Sequence, residues 1–171
     1  ASSVNSTPIT SGNQQVMDPN IGISVPEHLL GVHSHQGNGY KPLVDYGAWR
    51  VALLNYDHTL EVQALDRMQR HNETDEVFVL LKGRCLLLLG DGADRVECIY
   101  AEDLRPCLLY NVRRGVWHTH TLSRDAQVLV VENRDTTYDN APFTSLTTAQ
   151  QEELVRLCKL AWGGVVNIFS T

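Results

Sequence analysis

Short apolar and β-branched runs, each bounded by turn residues, fill the chain from about Asp45 to residue 133. Turn segments such as "GDGAD" at 90–94 and "SRDA" at 123–126 separate them. Many short strands joined by tight turns are typical of an antiparallel sandwich or barrel. The sequence therefore predicts an all-β fold, built from the runs AWRVALLNY, LEVQALDRMQR, EVFVLLKG, RCLLLLGD, RVECIYAED, CLLYNV, VWHTHTL and AQVLVVEN.

The four-leucine run at 86–89 shows no alternation of apolar and polar residues. Such a run fits a strand that is buried on both faces, and it also fits a buried helical segment. Its short length and the bounding residues Gly83 and Gly90 favour the strand.

A helical pattern follows the strands, over residues 145–162. Its apolar residues recur three and four positions apart, which places them on one helix face. The segment "TTAQQ" at 147–151 offers a capping box, and the glycines at 163–164 end the helix. We expect an amphipathic helix packed against the outside of a sheet or at a subunit contact. Its apolar positions are Leu154, Leu157, Cys158 and Ala161.

Residues 1–20 are rich in Ser, Thr, Asn, Gln and Pro and offer little to bury. We expect a flexible N-terminal arm there, which could dock on the body or on a second subunit. The segment "ISVPEHLL" at 23–30 predicts a short helical turn, and a Gly/Asn/Pro loop follows. The predicted organisation is an arm at 1–20, a β-domain at 21–144, and a helix and tail at 145–171.

The net charge of −6 and the absence of a Lys/Arg cluster argue against a nucleic-acid partner. No apolar stretch approaches the roughly 20 residues of a membrane span, so we expect no membrane partner. The four cysteines show no CxxC spacing, which indicates neither a zinc knuckle nor a redox pair, although an even count leaves disulfides open. These features favour a reduced, cytoplasmic protein.

Histidines and a carboxylate stand at the starts of two predicted strands. His71 and Glu76 precede "VFVLLK" and the hairpin glycine Gly83, and His118 enters another strand in "RRGVWHTHTL". Two hairpins of one small barrel could bring these side chains together. Imidazole and carboxylate groups are ligands suited to a divalent first-row metal.

The spacing of His71, Glu76 and Gly83 resembles the first conserved motif of the cupin superfamily. Gly115 and His118 resemble the core of the second cupin motif. The likeness covers about residues 65–135 and implies a small, single-domain, RmlC-like cupin. The fold implied is a double-stranded β-helix, or jelly-roll barrel, with the N-terminal arm and one C-terminal helix added.

The first histidine of the cupin His-x-His pair falls on Gln69 in this chain. The resemblance implies a metal site formed by Gln69, His71, Glu76 and His118, in which the glutamine oxygen replaces an imidazole. Such a set suits one divalent transition metal, Fe, Mn, Ni or Zn. Its open positions could polarise a carbonyl or activate a water.

Two further residues are candidates for acid–base work. His120 lies two positions after His118 and therefore points to the same face of its strand. Glu73 lies in the acidic bend before the strand that starts at Glu76. We expect either side chain to move a proton, if the protein is an enzyme. The "HSH" segment at 33–35 looks like a cupin pair but precedes the β-region, so we interpret it as a loop.

The sequence is compatible with three functions. The chain could be a metal-dependent enzyme, of isomerase, lyase or dioxygenase type, that acts on a small polar or anionic, metal-chelating substrate. It could instead be a cupin that binds a small ligand without turnover, or a degenerate barrel without metal in which Gln69 marks the loss of the site. Resemblance to small cupins also implies a homodimer.

Overall fold

The computed structural model describes residues 25–163. The predicted arm at 1–20 and the tail after Gly163 lie outside the described residues. Residues 25–32 belong to a unit separate from the remainder, which begins at His33. Within this short unit the amide N–H groups of Leu29 and Leu30 donate to the carbonyl of Pro26, at 2.9 and 3.3 Å. The predicted turn is thus present.

Two antiparallel sheets of five strands each form the body. One sheet has the order β1-β2-β9-β4-β7 and the other the order β10-β3-β8-β5-β6. The strands are β1 Tyr40–Tyr46, β2 Trp49–Asn55, β3 Arg67–Gln69, β4 Glu76–Lys82, β5 Cys85–Asp91, β6 Cys98–Asp103, β7 Tyr110–Val112, β8 Trp117–Leu122, β9 Gln127–Asn133 and β10 Phe143–Ser145.

The strand order identifies the topology. One sheet contains the neighbours β2-β9-β4-β7 and the other the neighbours β3-β8-β5-β6, while β1 and β10 each extend one edge. This interleaving of two Greek keys defines a jelly roll. The predicted all-β jelly roll is therefore confirmed.

The inner faces of the two sheets enclose one apolar core. Ala52, Val130 and Phe78 lie on three neighbouring strands of the first sheet, and each is at most 1% exposed. Cys85 and Leu87 face them from β5 of the second sheet. Cys85 is thus a buried free thiol, and burial raises its pKa to about 12.

The second sheet is covered on its outer face as well. The C-terminal helix α1, Thr148–Trp162, packs Leu154 and Cys158 against Leu86 and Leu88. The leucine run of β5 therefore contributes alternate side chains to two cores, which explains why it has no polar face. The strand buried on both faces is confirmed.

Both ends of α1 are fixed in the predicted way. Thr147 and Gln150 form a reciprocal capping box, and Gly163 adopts the left-handed conformation that ends the helix. Near the C-terminal end, Asp103 accepts hydrogen bonds from Trp162 Nε1 at 2.9 Å and from Arg84 Nη2 at 2.7 Å. These contacts attach the helix end to the second sheet. No helix within residues 25–163 has the length and apolarity needed to cross a membrane.

Three segments differ from the sequence expectation. Strand β1 begins at Tyr40, inside the segment predicted as a loop, and β10 was not predicted. The predicted run at 60–70 is a strand only over Arg67–Gln69, because two 3-10 turns occupy His58–Leu60 and Val62–Ala64. Strand β10 takes its conformation from pairing with the distant strand β3, which local patterns do not encode, whereas β1 pairs with its chain neighbour β2 in a hairpin.

Gly83 makes the turn between β4 and β5, with a φ of 71°. A Cβ at this position would lie 2.6 Å from the Ala126 Cα and 2.7 Å from the Ser123 Oγ. Glycine is therefore required here by backbone conformation and by space. Gly47, between β1 and β2, has a φ of 56° but nothing within 4 Å of such a Cβ.

We expect Gly83→Ala to lower the free energy of unfolding by about 3 kcal/mol or more, as the left-handed conformation and steric overlap add. The matched substitution Gly47→Ala should cost about 1 kcal/mol, because only the conformational penalty applies. Urea denaturation followed by circular dichroism measures both. Equal losses for the two variants would contradict the steric argument.

Candidate metal centre

The side chains of His71, Glu76 and His118 converge at one end of the space between the sheets. Glu76 Oε2 lies 3.0 Å from His71 Nε2 and 2.7 Å from His118 Nε2. One ligand atom from each residue lies within 4.8 Å of the others. All three residues are buried, with exposures of 4–7%. The residues singled out in the two sequence motifs therefore form one cluster.

Backbone contacts hold the loop before β8 against the start of β4. The amide N–H of Gly115 donates to the carbonyl of His71 at 2.7 Å. Asp75 accepts hydrogen bonds from the Arg114 amide at 2.8 Å and from Asn111 Nδ2 at 2.9 Å. These bonds keep His118 in line with His71 and Glu76. Local sequence does not predict this role of Asp75, because both partners lie more than thirty residues away.

The orientation of the His118 ring is set by the backbone. Its Nδ1 donates to the carbonyl of Val116 at 3.0 Å. This bond leaves Nε2 directed at Glu76, with its lone pair available when the ring is neutral. A backbone carbonyl that holds the second ring nitrogen is the usual support of a metal-binding histidine.

The charge state of the cluster follows from its contacts. Burial alone raises the pKa of Glu76, but hydrogen bonds from His118 and His71 outweigh it and lower the pKa to about 2. Burial also lowers the pKa of His118, yet the hydrogen bond and the charge of Glu76 raise it overall. Without a metal, the cluster is thus a carboxylate neutralised by an imidazolium.

Gln69 lies beside His118 in the pairing of β3 with β8, and it lines the same cavity. Its Nε2 donates to the carbonyl of Ala141 at 3.2 Å. Because a carbonyl only accepts, this bond fixes which amide atom faces Ala141. The Gln69 oxygen is then the atom left for a ligand.

The two acid–base candidates occupy different places. His120 lines the cavity, and its buried Nδ1 has no hydrogen-bond partner among the described residues. Burial lowers the pKa of His120 to about 4, so the imidazole is neutral at pH 7. Glu73 is exposed outside this cavity and accepts a hydrogen bond from Asn140 Nδ2 at 3.1 Å.

The "HSH" segment at 33–35 is a loop and does not approach the cluster as a ligand pair. His35 is buried, and its Nε2 lies 3.2 Å from the Gly39 carbonyl. Among the described residues, the group that could hold a metal contains neither His33 nor His35.

The cluster opens into a cavity of about 680 Å³, a volume in the range of small-ligand sites. Tyr40, Arg50 and Glu132 also line it, from β1, β2 and β9. The Tyr40 hydroxyl donates to Glu132 Oε1. The sequence motifs point to neither Tyr40 nor Glu132. Their approach depends on register between strands far apart in sequence.

No family model matches the sequence, and the search of curated proteins also finds no match.

Several solved structures resemble the fold at low sequence identity. A cupin-2 domain protein from Shewanella frigidimarina is 16% identical, with 63% of this chain and 87% of that chain covered and a TM-score of 0.42. A TDP-quinovose 3,4-ketoisomerase from Campylobacter jejuni is 18% identical, with coverages of 63% and 74% and a TM-score of 0.44. A hydroquinone 1,2-dioxygenase from Sphingomonas sp. TTNP3 is 9% identical, with coverages of 59% and 70% and a TM-score of 0.45.

We expect the histidines of metal-free protein to titrate in a defined order. His120 should remain neutral when the pH falls from 8 to 5, because burial disfavours its charged form. His118 should keep its proton to a higher pH than an exposed histidine, because Glu76 stabilises the imidazolium. Nitrogen-15 NMR of the imidazole rings measures both. Protonation of His120 above pH 5 would contradict this order.

Proposed function

We propose that the protein binds one divalent transition metal through His71, Glu76 and His118, with the Gln69 oxygen as a weaker fourth ligand. The observation that carries the proposal is the convergence of two imidazole nitrogens and a carboxylate within 4.8 Å in a buried site. Two imidazoles and one carboxylate suit Fe(II), Mn(II), Ni(II) or Zn(II).

The residues fit a metal by their chemistry as well as by their positions. His118 donates from Nδ1 to a backbone carbonyl, so its Nε2 is the nitrogen left to bind. Glu76 is ionised at neutral pH, as a metal-binding carboxylate must be. A neutral amide as the fourth group leaves the site with one negative charge, less than the charge of a divalent ion.

We propose that the bound metal serves a small-molecule enzyme of isomerase, lyase or dioxygenase type. A divalent metal at this position would supply Lewis-acid chemistry to a chelating oxygen group. The cavity offers room for a compact substrate, and His120 supplies a neutral imidazole beside the ligands. A neutral imidazole can accept a proton or donate a hydrogen bond, as an acid–base group requires. Glu73 is a weaker candidate for this task because it lies outside the cavity.

A second candidate function is ligand binding without metal. It is favoured by the hydrogen bonds that Glu76 already makes with both histidines, since these compensate the buried carboxylate without an ion. In this alternative the cavity would bind a small ligand, and no turnover would occur.

We expect protein purified without chelator to hold close to one equivalent of metal. His71→Ala and His118→Ala should each weaken metal binding by about 100-fold or more, because each removes a ligand. Elemental analysis and calorimetric titration with Zn(II), Mn(II), Ni(II) and anaerobic Fe(II) measure this. Metal affinity should also fall as the pH is lowered, because protons compete for both imidazoles.

The matched control is His58→Ala. His58 lies at the rim of the same cavity, its side chain is 82% exposed, and it is not part of the cluster. Its removal should leave the metal content unchanged. Wild-type protein that takes up none of the four metals would refute the metal site and favour the second function.

Turnover separates an enzyme from a metal-containing binding protein. Sugars, sugar acids, keto acids, ureides and catechols should be screened with each metal restored to stripped protein. We expect turnover with one metal and one substrate class, and its loss in His118→Ala. Binding without turnover across all classes would favour a binding protein. The predicted homodimer, cytoplasmic location and domain bounds stay predictions.

A further inference from the structure

The cavity has a second polar wall, which is formed by Tyr40, Arg50 and Glu132. Arg50 and Glu132 are direct neighbours in the pairing of β2 with β9. Val131 pairs with Val77, so the next position in this antiparallel register places Glu132 beside Glu76. One row of the first sheet thus presents three charged side chains to the cavity, in the order Arg50, Glu132, Glu76.

The Glu132 carboxyl group has a fixed orientation at the cavity wall. It is 8% exposed, and the Tyr40 hydroxyl donates to its Oε1. Burial and the neighbouring carboxylate raise the pKa of Tyr40, so the phenol keeps its proton and is the donor of this bond. The Glu132 carboxyl group is oriented by this bond and lines the cavity.

The two guanidinium groups that line the cavity are already compensated. Arg50 donates from Nε and Nη2 to both oxygens of Asp45, at 2.8 and 2.9 Å. Arg67 lies 3.8 Å from Asp66 and stacks on the ring of Phe143. Arg50 is thus paired at both carboxylate oxygens, and Arg67 with its partner Asp66 lies largely in solvent, so neither is a strong anchor for an anionic ligand.

Carboxylates outnumber cations around the cavity. Its described lining contains four carboxylates, two arginines and no lysine. Asp45 offsets Arg50 from outside this lining, so a divalent metal would leave a net charge of about −1. This residual charge disfavours an anion and gives a cation only a weak attraction, whereas hydroxyl groups would gain charge-assisted hydrogen bonds. The four carboxylates are Asp57, Asp66, Glu76 and Glu132.

We propose that Tyr40 and Glu132 form a hydroxyl-binding subsite, and that the ligand is a neutral, polyhydroxylated molecule of about monosaccharide size. Glu132 accepts a hydrogen bond from a ligand hydroxyl, while another oxygen of the ligand faces the metal cluster. The contact with the metal cluster rests on the proposed metal function, whereas the hydrogen bond to Glu132 does not. The Tyr40–Glu132 pair is thereby a specificity-determining pair.

The test compares three matched probes, galactose, galacturonate and galactosamine, together with their gluco and manno counterparts. They share a ring and differ in charge. Binding to full-length protein is measured by calorimetry and NMR, with and without Zn(II), after Zn(II) affinity has been determined alone. We expect at least one neutral sugar to bind about tenfold more tightly than its acid and amine counterparts, as a hydrogen bond to a carboxylate allows.

Glu132→Gln should weaken binding of the neutral sugar by about tenfold. Tyr40→Phe should weaken it several-fold, because Glu132 loses its orientation. Both variants should keep the Zn(II) affinity of the wild type. If Glu132→Gln fails to fold, as judged by circular dichroism, Tyr40→Phe decides the matter, because it changes one atom at a partly exposed side chain.

The chain contains a matched control pair. The Tyr56 hydroxyl donates to Glu61 Oε1 in the same chemical arrangement, but neither residue lines the cavity. Tyr56→Phe and Glu61→Gln should leave sugar binding unchanged.

Three results would overturn the subsite. They are tighter binding of the acids or amines than of every neutral sugar, no binding of any neutral sugar, and equal losses in the cavity and control variants. Failure to bind any of Zn(II), Mn(II), Ni(II) and Fe(II) refutes the metal function, while sugar binding to metal-free protein still decides the subsite. The two failures are therefore distinguishable.

Discussion

The candidate site depends on the compensation of one buried carboxylate. Glu76 occupies the first position of β4, where the inward-facing row changes from Phe78 and Leu80 to charged residues. An isolated carboxylate at 7% exposure would be costly, since water no longer solvates it. Hydrogen bonds with two imidazoles offset this cost, and both imidazoles contact the same carboxylate oxygen, Oε2. The hydrogen bonds of Asp75 and Gly115 support this contact, because they fix the segments that carry the imidazoles.

The jelly-roll order makes this convergence possible. It places β4 in one sheet and β8 in the other, so Glu76 and His118 face each other across the interior. The apolar rows below them form the core between the sheets, and the polar rows occupy its open end. The second core, beneath helix α1, stabilises the outer face of the sheet that carries His118. A rigid scaffold on both faces is what a binding site with several distant ligands needs.

The sequence predicted those features that local chemistry determines. The capping box at Thr147, the turn at Gly83 and most of the strands follow from residue type and spacing, whereas β10 does not. The strand pattern allowed His71, Glu76 and His118 to meet, but the cupin resemblance was needed to specify one site, because forty-two residues separate Glu76 from His118.

Neither the second polar wall nor strand β1 could be predicted from local sequence. Tyr40 stands ninety-two residues from Glu132, and no local pattern links them. Their contact requires the register of β1, β2 and β9, which is set by pairing rather than by composition. Strand β1 itself begins in a Gly/Asn-rich segment whose composition favours a loop. Such contacts are visible only once strand register is known.

A proton and a metal would compete for the same lone pair of this cluster, on His118 Nε2. His118 Nδ1 already donates to Val116, so a proton on Nε2 makes the ring an imidazolium that pairs with Glu76. A metal bound at Nε2 needs the same lone pair and therefore must displace that proton. A positive charge offsets the Glu76 carboxylate in either state, supplied by the imidazolium or by the metal. This balance explains how a buried polar cluster can be fully formed without an ion and still have the geometry that an ion requires.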